Sequence, residues 1–319
     1  MNRPTGMGRK SARVQKPLHL ILPATSANLG PAFDAAALAF EIYLKLHARP
    51  AAEYSIQALG RDADICGKVE SHLILNTYRE VLNAAGKGAR PLALKMVNDI
   101  PIGKGCGSSA AARLAGIALA VHFGDLHWND NRIVGEASRR EHHPDNASAC
   151  WMGGLTVARM SGEGEAQIAR IKPKGKWPLL VAVPPESLAT EEARRVLPSQ
   201  YSRADAVVNV QNSMLLVAAF VQGRGEFLAS ALEDRIHQPY RAPLCPLLPA
   251  LQELAGTQGI LGVALSGAGP SVLIFLDPKV PIRKTAAKVA AHLERKGRNA
   301  ELLSTAIAEQ GGRHGWSRR

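Results

Sequence analysis

Apolar positions along the chain change period repeatedly, and each change marks an element boundary. Residues 18–22 form a short apolar run of strand length that stops at Pro23. Further strand-like runs stand at 42–48, 54–59 and 92–97, with helical spacing over 71–85 between the last two. After Val97 the loop NDIPIGKGCG holds a proline and three glycines, which oppose regular structure. SSAAARLAGIALAVHF follows as a strong helix by propensity. A strand, a glycine loop and a helix therefore stand in series.

A second helical stretch over 130–140 leads to the polar turn EHHPDN, and 153–158 reads as a returning strand after paired glycines. Residues 161–176, with Gly162, Gly164, Gly175 and several charges, form the natural boundary between two domains. The second half opens with an apolar strand at 179–183, followed by helical patterns at 190–196, 204–222 and 227–232. LGVALSGAGPSVLIFL reads as two strands flanking a glycine turn. PIRKTAAKVAAHLERKG is an amphipathic helix with Pro near its start and Gly at its end. Mixed in this irregular order, the elements predict an α+β fold in both halves, not a doubly wound sheet. The expected organisation is a disordered basic arm at 1–16, an N-terminal domain at 17–172, a C-terminal domain at 173–308 and a flexible tail at 309–319.

Composition supports two cores: 319 residues with 46% hydrophobic content exceed the usual size of one compact domain. The formal net charge of +12 raises nucleic acid as a partner. Part of it sits at the ends, in Arg3, Arg9, Lys10, Arg13 and Lys16 and in Arg313, Arg318 and Arg319. The interior basic residues are not interleaved with aromatics, so no base-stacking surface is written here, and an anionic small-molecule substrate explains the excess as well. Neither nucleic acid nor a membrane is expected as a partner, since unbroken apolar runs such as 214–221 are too short to span a bilayer. Four cysteines without CxxC spacing, and nothing resembling a secretory signal, fit a reducing cytoplasm.

The glycine loop is the first stretch with chemistry. Gly103, Gly105 and Gly107 let backbone approach an anion, and Ser108 and Ser109 place hydroxyls on the first turn of a helix whose free N–H groups attract phosphate. Lys104 adds a cation. The stretch matches neither GxxxxGK[ST] nor GxGxxG, and by itself it reads equally as a flexible loop before a serine-capped helix. Asn28 and Asp34 in PATSANLGPAFD offer an amide that both donates and accepts and a carboxylate suited to an ammonium, or simply a polar turn.

Taken together, three stretches resemble the motif set of the GHMP kinases, the family of galactokinase and of homoserine, mevalonate and phosphomevalonate kinases. PIGKGCGSSAAA is similar to the central motif, with Cys106 where the family usually has Leu; PATSANLGPAFD is similar to the first, and LSGAGPSVLIF to the third. The first motif has the form that homoserine kinases carry, as has EHHPDNASACWMGGLT. The resemblance implies a ribosomal-protein-S5-like N-terminal domain and a ferredoxin-like C-terminal α/β sandwich. It implies ATP as co-substrate, held by Pro101, Gly103, Lys104, Gly105, Cys106, Gly107, Ser108, Ser109 and Ala110, with adenine near residues 73–76. Mg2+ would be held by Ser108 or Ser109 and by Glu136, with Glu141 the competing acid. L-Homoserine would be bound by Asn28, Asp34, His143, Arg241 and Gly267. Asn146, Thr190 and Arg194 would serve the transferred phosphoryl and the accepting hydroxyl, with Asp145 a candidate base. The implied reaction is phosphorylation of the homoserine side-chain hydroxyl in threonine biosynthesis, by a homodimer. The alternatives are a GHMP kinase for another small alcohol and a non-catalytic, nucleic-acid-binding relative.

Overall fold

The computed structural model describes residues 16–162 and 164–315, so most of the predicted basic arm and the last four residues lie outside it. Strand β1 (Leu18–Ala27) alternates buried Leu18, Leu20 and Leu22 with exposed His19 and Ile21, then is buried on both faces through Ala27. The change marks where the strand leaves the sheet surface and enters the interior. The chain turns through residues 28–35 and returns as β2 (Ala36–Pro50), the hub of a six-stranded sheet. β2 pairs antiparallel with β1 and, across its other edge, with β4 (Leu92–Asn98) and β5 (Leu155–Met160). β3 (Ser55–Gly60) runs parallel to β4, and β6 (Ala166–Ile171) pairs antiparallel with β5.

Five helices accompany this sheet: α1 (Ala63–Cys66), α2 (Leu73–Ala84), α3 (Ser108–Phe123), α4 (Asp130–Glu141) and α5 (Asp145–Met152). α3 is buried nearly all round, and its alanines and glycine allow that. A Cβ at Gly116 would stand 2.5 Å from the Ile74 carbonyl oxygen, so α2 and α3 pack as closely as they do only because none is present.

The second sheet has the order β10–β7–β9–β8, antiparallel throughout, built from β7 (Pro178–Val183), β8 (Ile260–Leu265), β9 (Val272–Leu276) and β10 (Glu301–Ala306). Alternation decides its faces. Leu179, Val181 and Phe275 join the main core with Leu216 and Phe220, whereas Leu180, Ala182 and Ile274 form a second core with Leu248, Leu251 and Val289. The helices here are α6 (Thr190–Arg195), α7 (Arg203–Gln222), α8 (Leu228–Ala231), α9 (Gln238–Arg241), α10 (Leu247–Gln252) and α11 (Ile282–Arg295).

Several sequence expectations are corrected. Residues 145–152 of the predicted turn and strand approach are helical, and the predicted boundary stretch 161–176 contains β6. β10 was not predicted. The flexible tail expected from residue 309 is packed as far as it is described: the Gly154 N–H donates to Ala308 O, the Arg170 guanidinium to Glu309 O, and Gly311 and Gly312 lie against Trp151. Among the described residues α7 is long and apolar enough to cross a membrane by length and composition, which unbroken-run counting missed because Asn209 and residues 211–213 interrupt it. Its inner residues Leu216, Ala219 and Phe220 are packed in the main core.

Candidate functional site

A cavity of about 580 Å3 opens where the turn after β1, the glycine loop, the starts of α3 and α5, and the second half's α6 and 267–269 turn converge. That is the size of a small-ligand site.

The glycine loop lies against one wall. Gly103, Gly105 and Gly107 all take positive φ, between 68° and 76°. Two of them also have no room for a side chain. A Cβ at Gly105 would meet Ser266 O at 2.3 Å, and one at Gly107 would meet Thr25 Oγ1 at 1.9 Å. Gly107 precedes α3 with no side-chain cap, so the first-turn N–H groups of Ser108, Ser109 and Ala110, all lining the cavity, keep their donor capacity and the helix's positive end. Backbone, not side chain, makes the anion site.

Beyond the serines the two candidate acids part company. Glu141 lines the cavity, accepts from Ser109 Oγ at 2.6 Å and pairs with Arg113 Nε at 2.5 Å. Glu136 is absent from the lining and is held by Arg139 and by Arg140, 3.0 Å away. Five residues rotate a helix position by about 140°, so one of these acids had to face elsewhere, and it is Glu136. Ser109 and Glu141 supply oxygen ligands of the kind a hard divalent cation takes.

At the opposite end, Asp34 and Arg194 form a two-point ion pair, Nη2–Oδ1 2.7 Å and Nη1–Oδ2 3.1 Å. Thr190, one helical turn before Arg194, lines the same wall. Asp34 adopts φ 53°, held by its own N–H donating to Asn28 Oδ1 at 2.9 Å. The Asn28 Nδ2 group donates to Gly267 O at 2.9 Å. Asn28, expected to bind a ligand, thus spends its amide joining the first motif to the third. Arg241 is 1% exposed, and its Nε donates to Ala193 O while Nη1 reaches Gly267 O and His237 Nδ1. Burial, helped by repulsion from Arg194, brings the Arg241 pKa down to about 10, so it remains a cation at neutral pH. Burial likewise lowers His237, which keeps its imidazole neutral and able to accept from Arg241. The Phe33 ring lies 5.4 Å from both guanidinium carbons.

The start of α5 adjoins Asp34, with one polar atom each of Asp34, His143 and Asp145 within 4.8 Å of the others. His143 Nδ1 lies 2.5 Å from Asp145 Oδ1, which also accepts from the Asn146 N–H. Burial opposes the His143 charge, but the Asp145 hydrogen bond and carboxylate, with Asp34 beyond, outweigh it and raise the His143 pKa. Asp145 Oδ2 is buried without a hydrogen-bond partner, in a residue that lines the cavity. Asn146 Oδ1 accepts from Thr25 Oγ1 at 2.6 Å. An orphaned buried carboxylate oxygen in the same cavity as an uncapped helix start is a polar group whose acceptor capacity is left for something outside the chain.

Two family models match the chain: GHMP kinases N terminal domain over residues 72–154 and GHMP kinases C terminal over residues 216–295. A homoserine kinase of Solibacter usitatus is 42% identical over 92% of this chain and 95% of that protein. The chain belongs to the homoserine kinase group of the GHMP kinase family. A homoserine kinase of Deinococcus radiodurans is 36% identical over 83% of this chain and 86% of its own length. The crystal structure of a homoserine kinase from Cytophaga hutchinsonii shares the fold, with TM-score 0.79 at 21% identity over 96% of this chain and 99% of that one.

As a GHMP kinase the chain has the family's two-domain α+β fold and is an ATP-dependent phosphotransferase. Ile65, Leu73, Ile74, Met96 and Ile102 give the cavity an apolar part of its lining. Leu73 and Ile74 fall within the stretch expected for adenine; residues 75 and 76 are not in the lining. Within the kinase's phosphate loop three expected contacts are turned away. Lys104 Nζ donates to Pro185 O, Pro101 lines a separate cleft, and Cys106 is buried behind the loop, 3.9 Å from Ser271 Oγ, with its thiol pushed up to about 12 by burial. Thr25, His237 and Phe33 escaped the sequence reading. Thr25 and Phe33 both lie inside PATSANLGPAFD and were visible there, and His237 stands one helical turn before Arg241, a spacing that could have found it.

Proposed function

We propose that this kinase transfers the γ-phosphoryl group of ATP to the side-chain hydroxyl of L-homoserine. The reading rests above all on one carboxylate and two arginines in the cavity wall, Asp34, Arg194 and Arg241, with Asp34 and Asp145 oxygens within 4.8 Å of each other. An α-amino acid carries an ammonium and a carboxylate, and this wall offers one complement to each. Asp34 takes the ammonium, and Arg241, pre-set by Ala193 O, Gly267 O and His237, takes the carboxylate through the part of its fork those contacts leave free. Arg194, released from part of its bond to Asp34 when the ammonium arrives, turns charge toward the transferred phosphoryl, with Thr190 beside it.

The open N–H groups at the start of α3 receive the β- and γ-phosphates. Ser109 and Glu141, with Ser108 adjacent, would hold Mg2+, which neutralises phosphate charge when bound. Asn146, whose amide oxygen is fixed by Thr25, directs its Nδ2 donor to the accepting hydroxyl or γ-phosphate. Asp145 Oδ2 receives the hydroxyl proton as the bond to phosphorus forms, and His143 and the Asn146 N–H hold the carboxylate in place. The two halves divide between β6 and β7, in residues 172–177. The four free cysteines suit a reducing cytoplasm, and the functional form is a homodimer.

A coupled assay of ADP release tests the substrate. Homoserine is expected to be turned over while mevalonate, galactose and shikimate are not; turnover of one of these and none of homoserine overturns the reading.

A further inference from the structure

His237 is fully buried and does not line the cavity, yet both of its ring nitrogens are engaged. Nε2 lies 2.8 Å from Gly30 O, and Nδ1 lies 3.2 Å from Arg241 Nη1. A carbonyl oxygen only accepts and a guanidinium only donates, so both contacts require the same tautomer, with the proton on Nε2 and a lone pair on Nδ1. Asp234 fixes the ring from the backbone side. Its Oδ2 accepts from the His237 and Gln238 N–H groups, at 2.9 and 2.6 Å, and stands 3.4 Å from Nε2. The Phe33 ring covers one face, with centroids 5.3 Å apart and planes 29° apart. Held on two edges and one face, the imidazole has one orientation.

The two contacts end in different halves of the chain. Gly30 belongs to the turn that carries Asp34, and that turn has no slack there: a Cβ at Gly30 would meet Leu232 O at 2.4 Å. Arg241 belongs to α9. Its Nε is taken by Ala193 O and its Nη1 by Gly267 O and His237, and among the described residues Nη2 has no hydrogen-bond partner. His237 therefore ties the turn bearing one substrate-facing charge to the guanidinium that supplies the other. The tie has to be neutral. A carboxylate in its place would pair with Arg241 as Asp34 pairs with Arg194, and would leave less positive charge for a ligand. An imidazole lone pair orients the guanidinium without neutralising it, and burial keeps the imidazole uncharged.

We propose that His237 is the positioning residue for carboxylate recognition: by spanning Gly30 and Arg241 it sets where the free Nη2 edge of Arg241 stands relative to Asp34, and so makes the kinase select an acceptor whose carboxylate and ammonium share one carbon. The proposal rests on the homoserine reading and adds to it the residue that decides how strictly the carboxylate is required. None of the hydrogen bonds of His237 reaches the glycine loop or α5, so nucleotide binding does not depend on it.

Steady-state kinetics of the full chain with two acceptors test it: L-homoserine, and L-homoserine amide, which keeps the ammonium and the hydroxyl and lacks the carboxylate charge. The wild type should prefer homoserine in kcat/KM by at least about tenfold. His237→Gln sets its amide where Nε2 stands, within reach of Gly30 O, and leaves Arg241 without its acceptor. His237→Asn sets its amide where Nδ1 stands and can still accept from Arg241. The first should lower the preference roughly tenfold through the homoserine KM, with the amide and ATP parameters nearly unchanged, and the second should retain most of it. Equal losses on the two acceptors in His237→Gln, the mark of a packing role, overturn the proposal, as does a preference lost as fully in His237→Asn. Nitrogen NMR of isotopically labelled histidine in the wild type gives a test that does not depend on how well either variant folds. At about pH 7 the His237 ring should be neutral and protonated on Nε2; an imidazolium, or a ring protonated on Nδ1, overturns the proposal. A wild type that phosphorylates both acceptors equally overturns the proposal and leaves the homoserine reading standing. A wild type that phosphorylates neither, but does phosphorylate another alcohol, overturns that reading and the proposal with it.

Discussion

Asp34 and Arg194 are separated by 160 residues and belong to different halves of the chain, yet they close on each other in a bidentate ion pair in the wall of the cavity. Each satisfies the other, so a zwitterion bound as proposed would exchange partners with the pair. Asp34→Asn removes the counter-charge for the ammonium. A charged hydrogen bond contributes about 1.5–3 kcal/mol, or roughly a ten- to hundredfold change. The expected outcome is a rise of that size in the homoserine KM with the ATP KM little changed, measured by steady-state kinetics.

The two acids of α4 give a paired prediction. Glu141→Gln should lower kcat about a hundredfold and weaken the response of rate to Mg2+. Glu136→Gln should leave kcat within about twofold, because its carboxylate is spent on Arg139 and Arg140. The reverse pattern would return the metal to Glu136.

Gly107→Ala and Gly103→Ala differ in kind. Both residues have positive φ, but a Cβ at Gly107 lands on Thr25 Oγ1, whereas at Gly103 it meets only the Ser187 side chain at 3.4 Å. The first should displace Thr25 from Asn146 and reduce kcat by at least about tenfold; the second should cost about 1 kcal/mol of stability, read by thermal melting, with kcat nearly retained. Thr25→Val, which keeps the shape and removes the hydroxyl, should reproduce part of the Gly107→Ala loss.

The His143–Asp145 pair predicts a pH dependence with a definite sign. The folded state raises the His143 pKa above its ordinary value. The stabilisation is therefore complete below that ordinary value and is lost as pH rises through the raised one. The melting temperature of the wild type should exceed that of His143→Gln most at about pH 5.5, and the gap should shrink by about pH 8.5. A gap that widens with pH would show that the imidazole is held neutral.

Much of the fold was legible because period carries it. The strands at 92–97 and 179–183 follow from their apolar runs, and the helix at 108–123 from the propensity of its alanines and leucines. β10 was missed because its exposed and half-exposed residues, ELLSTA, lack a clear alternation, and its place is earned by pairing with β7. The helical start at Asp145 was hidden by Pro144 and by a polar run that reads as a turn.

The sequence by itself determined the glycine loop and the helix that follows it, since glycine's freedom to take positive φ and the propensity of the alanine-rich run are local properties. It also placed Asp34, His143, Asp145, Arg194 and Arg241 in motif-bearing stretches. Only the tertiary structure decided which side chains meet. Glu141 and not Glu136 lines the cavity, Lys104 is bonded to Pro185, and Asn28 fastens to Gly267. Local propensity depends on neighbours in the chain, but the direction of a side chain depends on what packs against it, and here that is set by residues 32 to 239 positions away.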